Sequence, residues 1–296
     1  MKANQGTAPN FLIPGASRSG TSSLYHYLRE HDDIFMPAHQ KELRFFDRAE
    51  NYRHGLDYYE RQFACRQGET AIGESSPPYW YRGITFDEQR NYQWRPDDDP
   101  PRRIAEAYPD LDIIVTLRNP VTRLHSQFWK NVRQGREKVL SLKHALEMEL
   151  SGERDHRRSE LCWVYRNRHP VHLKRWFELF DRRQIRVIIF EEWIKQPKQT
   201  LSDLCRFLGV DSEFSFSRTN RKQNTSCVPR SMAVNDFYHR YLEGSFFGEV
   251  VNKLNLKSGK PSMDEEVKRF AYSIFEDDVR EMETLLDRPL DVWKMN

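Results

Sequence analysis

The sequence predicts an α/β fold of the P-loop type, three layers with a central, mostly parallel sheet flanked by helices. Short β-type runs alternate with amphipathic helical stretches along most of the chain, the pattern of a parallel sheet. The first β run opens directly into a glycine-bounded loop followed by helix formers. No Gly/Ser-rich linker and no internal repeat divides the 296 residues, so a single domain over 1–296 is expected, with 1–9 as a flexible N-terminus.

In chain order, Asn10 to Pro14 reads as the first strand and 21–31 as a helix. Thr70 to Gly73 is a second strand, 102–108 a helix, and Ile113 to Leu117 a strand followed by a helix from Pro120. Helical spacing returns over 171–180, a buried strand is expected over 185–190, and Pro197 at a first-turn position opens a helix over 197–208. The stretch 263–286 closes the fold as a helix. Two segments break this rhythm. The segment 82–101 holds turn formers and aromatics without periodicity, the signature of a long excursion at one end of the sheet. The segment 217–231 is basic and rich in Asn, Arg and Ser, which is poor core material and good anion-binding material.

Composition narrows the function. Lys+Arg 47 against Asp+Glu 44 leaves a formal charge of +3, a mixed solvated surface rather than one that coats nucleic acid. The longest purely apolar run is about four residues, as in Val187 to Phe190, far short of a membrane span. Met1 to Pro9 show no apolar leader. Cys65, Cys162, Cys205 and Cys227 lie far apart with no CxxC pair, which fits reduced thiols and a cytoplasmic protein. The ten histidines form no HxH or HExxH pattern, so no metal site is expected.

The run Gly15-Ala16-Ser17-Arg18-Ser19-Gly20-Thr21-Ser22 carries the chemistry. Glycines permit the tight turn, and the N–H groups of Gly20, Thr21 and Ser22 at a helix start form an anion site. The spacing is that of a P-loop, but Thr21 stands where an ATP or GTP enzyme places its phosphate-binding Lys. A cation appears instead at Arg18. The strand ending at Leu117 closes not on a Mg²⁺-holding Asp but on Arg118, then Asn119 and Pro120. Arg118 and Ser126 can grip one further phosphate without metal. Alternatively, Arg118 pairs with a carboxylate such as Glu74.

With these residues in view, the chain resembles sulfotransferases that use 3′-phosphoadenosine 5′-phosphosulfate (PAPS), above all the carbohydrate branch with the heparan sulfate enzymes and their bacterial relatives. The likeness rests on Gly15 to Leu24, Lys41-Glu42-Leu43-Arg44-Phe45-Phe46-Asp47, Gly73-Glu74-Ser75-Ser76-Pro77-Pro78-Tyr79 and Leu117 to Ser126, in the family's order. It is strong over about residues 10 to 130 and returns in the tail from Glu276 to Trp293. It implies that Arg18, Ser19, Gly20, Thr21 and Ser22 hold the 5′-phosphosulfate, with Arg18 where the family most often has Lys, and that Arg118 and Ser126 hold the 3′-phosphate. It places Glu42 at the catalytic carboxylate and the loop containing Arg221, Lys222 and Asn224 at a basic lid of different spacing. Arg44 stands where several relatives have His, and Ser75 where they have Lys.

The expected activity is transfer of a sulfuryl group from PAPS to an acceptor hydroxyl or amine, on a carbohydrate or small molecule, leaving adenosine 3′,5′-bisphosphate. Glu42 is the expected base and Arg18 the stabiliser of the leaving oxygen. Lys41, Arg44, Asp47, Glu74 and Tyr79 are the expected substrate contacts. For Glu42 the competing role is a surface ion pair with Lys41 or Arg44. A P-loop kinase or ATPase is the enzymatic alternative, with Glu191 and Glu192 after a buried strand as metal ligands. A module that grips an adenosine bisphosphate without reacting is the other.

Overall fold

The computed structural model describes residues 8–81, 83–86, 92–95, 97–154, 161–217 and 227–295. Of the expected lid, Arg221, Lys222 and Asn224 lie outside the described residues, as do residues 1–7 of the expected N-terminus. The chain divides into two compact units, one of Met1–Asn119, His169–Arg221 and Leu290–Trp293, the other of Pro120–Arg168, Lys222–Pro289 and Lys294–Asn296.

The chain begins with β1 (Phe11–Gly15), α1 (Thr21–Leu28), β2 (Ile34–Phe35), α2 (Ala49–Tyr52), α3 (Leu56–Glu60) and β3 (Ala71–Ser75). An antiparallel hairpin of β4 (Ile84–Phe86) and β5 (Tyr92–Trp94) occupies part of the segment that shows no periodicity in sequence. Helix α4 (Pro100–Ala107) starts where Asp99 accepts a bond from the Arg102 N–H and two prolines fill the first turn, then β6 (Asp112–Leu117) follows. Helices α5 (Pro120–Arg133), α6 (Leu142–Ser151) and α7 (Trp163–Asn167) belong to the second unit. The chain returns to the first through α8 (His169–Leu179), β7 (Ile185–Ile189), α9 (Phe190–Trp193) and α10 (Pro197–Phe207). It ends in the second with β8 (Cys227–Pro229), α11 (Met232–Phe237), α12 (Phe246–Asn255), β9 (Leu256–Ser258) and α13 (Glu265–Leu286).

In the first unit five strands form one parallel sheet in the order β2-β3-β1-β6-β7. Every residue of β1 and β3 is buried, Glu74 and Ser75 included, as befits central strands of a parallel sheet. Leu12 pairs with Glu74 on one side and Ile113 on the other, so β1 lies between β3 and β6. Because all three run the same way, the loops after Gly15, Ser75 and Leu117 leave from one edge of the sheet, where open α/β sheets bind ligands. Ile13, Ile114 and Ile188 pack with Leu24, Tyr27 and Leu28 of α1 and Leu201 and Leu204 of α10, so these two helices cover one face.

The second unit is built on α5. Its Val121, Leu124, Phe128 and Val132, spaced along one helical stripe, pack with Leu142, Ala145 and Leu146 of α6, Trp163 and Val164 of α7, and Ala271 and Phe275 of α13. The 22-residue α13 is capped by Asp264, which accepts from the Glu266 N–H at 2.8 Å. Among the described residues no disulfide joins the four cysteines, and no helix is long and apolar enough to cross a membrane.

Candidate active site

The glycine-bounded loop is pinned to the sheet from both sides. Ala16 N–H donates to the Thr116 carbonyl at 2.7 Å, and Thr116 Oγ1 donates to the Gly15 carbonyl at 3.2 Å. Arg18 takes a left-handed φ of 69° and Gly20, which caps α1, a φ of 92°. A side chain at Gly20 would also place its Cβ 2.4 Å from Trp193 Cζ3, so the helix start seats directly against α9. Ser19 is fully buried and its hydroxyl has no partner among the described residues, a polar atom left for something else at this loop.

Arg118, leaving β6, joins the same loop. Its Nη1 donates to the Arg18 carbonyl at 3.3 Å, its guanidinium lies 4.8 Å from the centre of the Phe190 ring, and its Nε stands 3.9 Å from Glu191 Oε1. Its partner is therefore Glu191 of α9, not the alternative Glu74. Glu191 is itself committed, accepting from the Asn119 N–H at 3.1 Å and from Trp293 Nε1 at 3.0 Å. Burial lowers the Arg118 pKa and raises that of Glu191, which Arg118 partly counters. The His169 ring is 2.8 Å from the Arg118 carbonyl and completes the setting. Ser126 lies on α5 in the second unit and is 4% exposed.

The segment after residue 40 brings a carboxylate to the loop. Lys41 Nζ donates to Ser22 Oγ of α1 at 2.5 Å and lies 3.7 Å from Glu42 Oε1. Burial lowers the Lys41 pKa, and Glu42 opposes that shift. Glu42 keeps 39% of its side chain exposed. Arg44 has a φ of 54° and its guanidinium grips Asp47 through Nε at 2.7 Å and through Nη2.

The five expected substrate contacts fall into two groups. Lys41, Arg44 and Asp47 are partly exposed beside Glu42. Glu74 and Tyr79 are fully buried, with their polar atoms used inside the protein. Glu74 accepts from Ser76 Oγ at 2.6 Å and Tyr59 OH at 3.0 Å, and the Tyr79 hydroxyl accepts from the Phe45 N–H at 2.6 Å. Ser76 and Tyr59 are not singled out by sequence. The signal that points to them is an acid inside a strand buried on both faces, which needs donors somewhere in the chain.

Known proteins show which family the chain belongs to. Residues 8–283 match the family model described as a sulfotransferase domain. The bifunctional heparan sulfate N-deacetylase/N-sulfotransferase 4 of Mus musculus is 25% identical over 298 residues, covering 96% of this chain and 31% of that protein. The corresponding enzyme 3 of Homo sapiens is 25% identical over 299 residues, with the same two coverages. The chain thus spans about a third of the length of the curated relatives it matches. A crystal structure of a sulfotransferase from Alicyclobacillus acidocaldarius superposes with a TM-score of 0.70 at 27% identity, covering 97% of this chain and 99% of that one. A five-stranded parallel sheet, a glycine-bounded loop after its first strand and a family match over residues 8–283 lead to one conclusion: the chain belongs to the sulfotransferase domain family.

Proposed function

We propose that this enzyme moves a sulfuryl group from PAPS to a hydroxyl or amine of a carbohydrate acceptor, with Glu42 as general base. The observation that carries this is Lys41, whose ammonium is bonded to Ser22 of the P-loop helix at 2.5 Å and stands 3.7 Å from the Glu42 carboxylate. One cation thus ties the anion loop to a part-exposed carboxylate, and a module that only bound a nucleotide would have no use for that carboxylate there.

The donor set suits the nucleotide. Ser19 offers a buried hydroxyl with no partner among the described residues, the start of α1 offers N–H groups, and Arg18 and Arg118 are joined through the Arg18 carbonyl. PAPS supplies the sulfuryl group on a phosphosulfate bond whose cleavage leaves adenosine 3′,5′-bisphosphate. Arg18 and the α1 N–H groups would hold the 5′ end, and Arg118 the 3′-phosphate. Glu42 takes the acceptor's proton, and Arg18 and Lys41 supply positive charge where the leaving oxygen gains negative charge. The carbohydrate acceptor follows from relatives named for heparan sulfate N-sulfotransfer. Against a kinase stand Thr21 at the position of the loop Lys and Glu191, whose oxygens are taken by Asn119, Trp293 and Arg118.

Calorimetry with adenosine 3′,5′-bisphosphate and with ATP, each with Mg²⁺ and with EDTA, tests the donor site. Tight bisphosphate binding that ignores EDTA is expected, and tight Mg²⁺-dependent ATP binding would overturn the proposal. Labelled PAPS offered with N-desulfated heparan oligosaccharides, simple sugars and phenols then identifies the acceptor.

A further inference from the structure

We infer that Glu74 is a positioning residue for Glu42: through Ser76 and the amides of Leu43 and Arg44 it fixes the backbone from which Glu42 reaches the P-loop. This rests on the role of Glu42 as base. The residues that follow Glu42 form no strand in the sheet, yet three successive amides are held. Leu43 N–H donates to Glu74 Oε2 at 3.4 Å, Arg44 N–H to Ser76 Oγ at 3.1 Å, and Phe45 N–H to Tyr79 OH at 2.6 Å. All three acceptors come from residues 74–79, at the end of β3 and the turn beyond it.

Glu74 is the centre of this clamp. Ser76 Oγ donates its own proton to Glu74 Oε2 at 2.6 Å, which leaves its lone pairs for Arg44, and Tyr59 OH donates to Glu74 Oε1 at 3.0 Å. Above about pH 7 Glu74 is ionised and accepts at both oxygens, whereas a glutamine presents a donor at one of them. A carboxyl with no exposed surface is costly in a fold, and burial pushes Glu74 up to about 7. An aliphatic side chain would fill the strand without that cost. What the acid adds is a fixed segment, including Arg44 at a left-handed φ of 54° that a non-glycine residue holds only when its surroundings impose it. The sheet carries the placement to the P-loop, because Glu74 pairs with Leu12 and Ser75 with Ile13 on β1, whose last residue opens that loop.

The test is a double-mutant cycle on the full chain, following labelled sulfate leaving PAPS to an N-desulfated heparan oligosaccharide or to water. Glu74→Gln should lower turnover by about 10- to 100-fold, the effect of a misplaced reacting group, while bisphosphate affinity and the KM for PAPS stay within about twofold. In a Glu42→Gln background the same change should add nothing. Ser76→Ala, which keeps the carboxyl but removes the link to Arg44, should lower turnover about tenfold with the same split and guards against a Glu74 variant that does not fold. Wild-type turnover in both Glu74→Gln and Ser76→Ala would overturn the inference, and so would losses that multiply with that of Glu42→Gln. Wild-type turnover in Glu42→Gln alone would instead sink the base assignment itself.

Discussion

Glu42 and Arg118 face opposite demands, and substitution separates them. Glu42 must lose a proton-accepting oxygen without disturbing the anion site, so Glu42→Gln should cut turnover by roughly 10²-fold or more while bisphosphate affinity changes less than about twofold. Single-turnover transfer of labelled sulfate measures the first and calorimetry the second. Near wild-type transfer under conditions where chemistry limits would show that Glu42 forms only its ion pair with Lys41. Arg118, proposed to hold the 3′-phosphate, stands at the end of β6, bonded to the carbonyl of Arg18 and facing Glu191. Arg118→Ala should lose about 2 kcal/mol for adenosine 3′,5′-bisphosphate, the scale of a charge-assisted bond. Adenosine 5′-monophosphate, which lacks the 3′-phosphate, should bind both forms about equally. Equal weakening of the two nucleotides would make Arg118 a support of the loop instead.

At the scale of elements, the glycine-bounded loop ends where α1 starts against α9. Gly20 has a φ of 92° and no room for a Cβ, which would lie 2.4 Å from Trp193 and 3.0 Å from Phe190. Gly20→Ala therefore adds a clash to backbone strain and pushes on the helix whose Glu191 faces Arg118, so it should cost about 1–3 kcal/mol of stability and more than tenfold in bisphosphate affinity. Gly209→Ala is the control, since Gly209 has a φ of 69° with nothing within 4 Å. It should be destabilised by strain alone and bind as wild type. Chemical denaturation and calorimetry on the pair check both statements. The strands β1, β6 and β7 are legible in the sequence as short apolar runs, and helices α1, α5, α10 and α13 because each buries a periodic stripe. Strand β2 has two residues and offers no period to read. Helix α12 escapes notice for another reason: Phe246, Phe247 and Leu254 stay 89%, 67% and 73% exposed, so its apolar residues do not mark a core face. In the site, the loop and Arg118 are legible because their residue types stand directly after strands. The bonds from Lys41 to Ser22 and from the Arg44 N–H to Ser76 are not, because nothing local to either residue announces a partner 19 or 32 positions away.

Across the whole molecule, both units contain acids that folding removes from water. Glu74 in the first unit and Glu149 in the second are each pushed up to about 7, and Asp278 in the second to about 6, in every case chiefly by burial. Glu149 accepts from the Val164 and Tyr165 N–H groups at 2.9 and 3.1 Å, yet desolvation outweighs those bonds. Between its ordinary value of 4.5 and about 7, such a carboxyl keeps its proton in the folded chain while the unfolded chain has released it. Folding then takes up a proton, so the contribution of Glu149 to stability rises as pH falls through 7 and levels off below 4.5. Its full size is on the order of 3 kcal/mol, at about 1.4 kcal/mol per unit. Glu149→Gln removes this titration and leaves the histidines and surface pairs as they were. The melting temperature of the wild type should therefore gain on that of Glu149→Gln by roughly 4–5 °C between pH 8 and pH 5, and scanning calorimetry of the two proteins across that range measures the gain directly. A difference that stays constant, or shrinks as the pH falls, would mean that the two backbone bonds hold Glu149 ionised in the folded protein and that burial does not govern it.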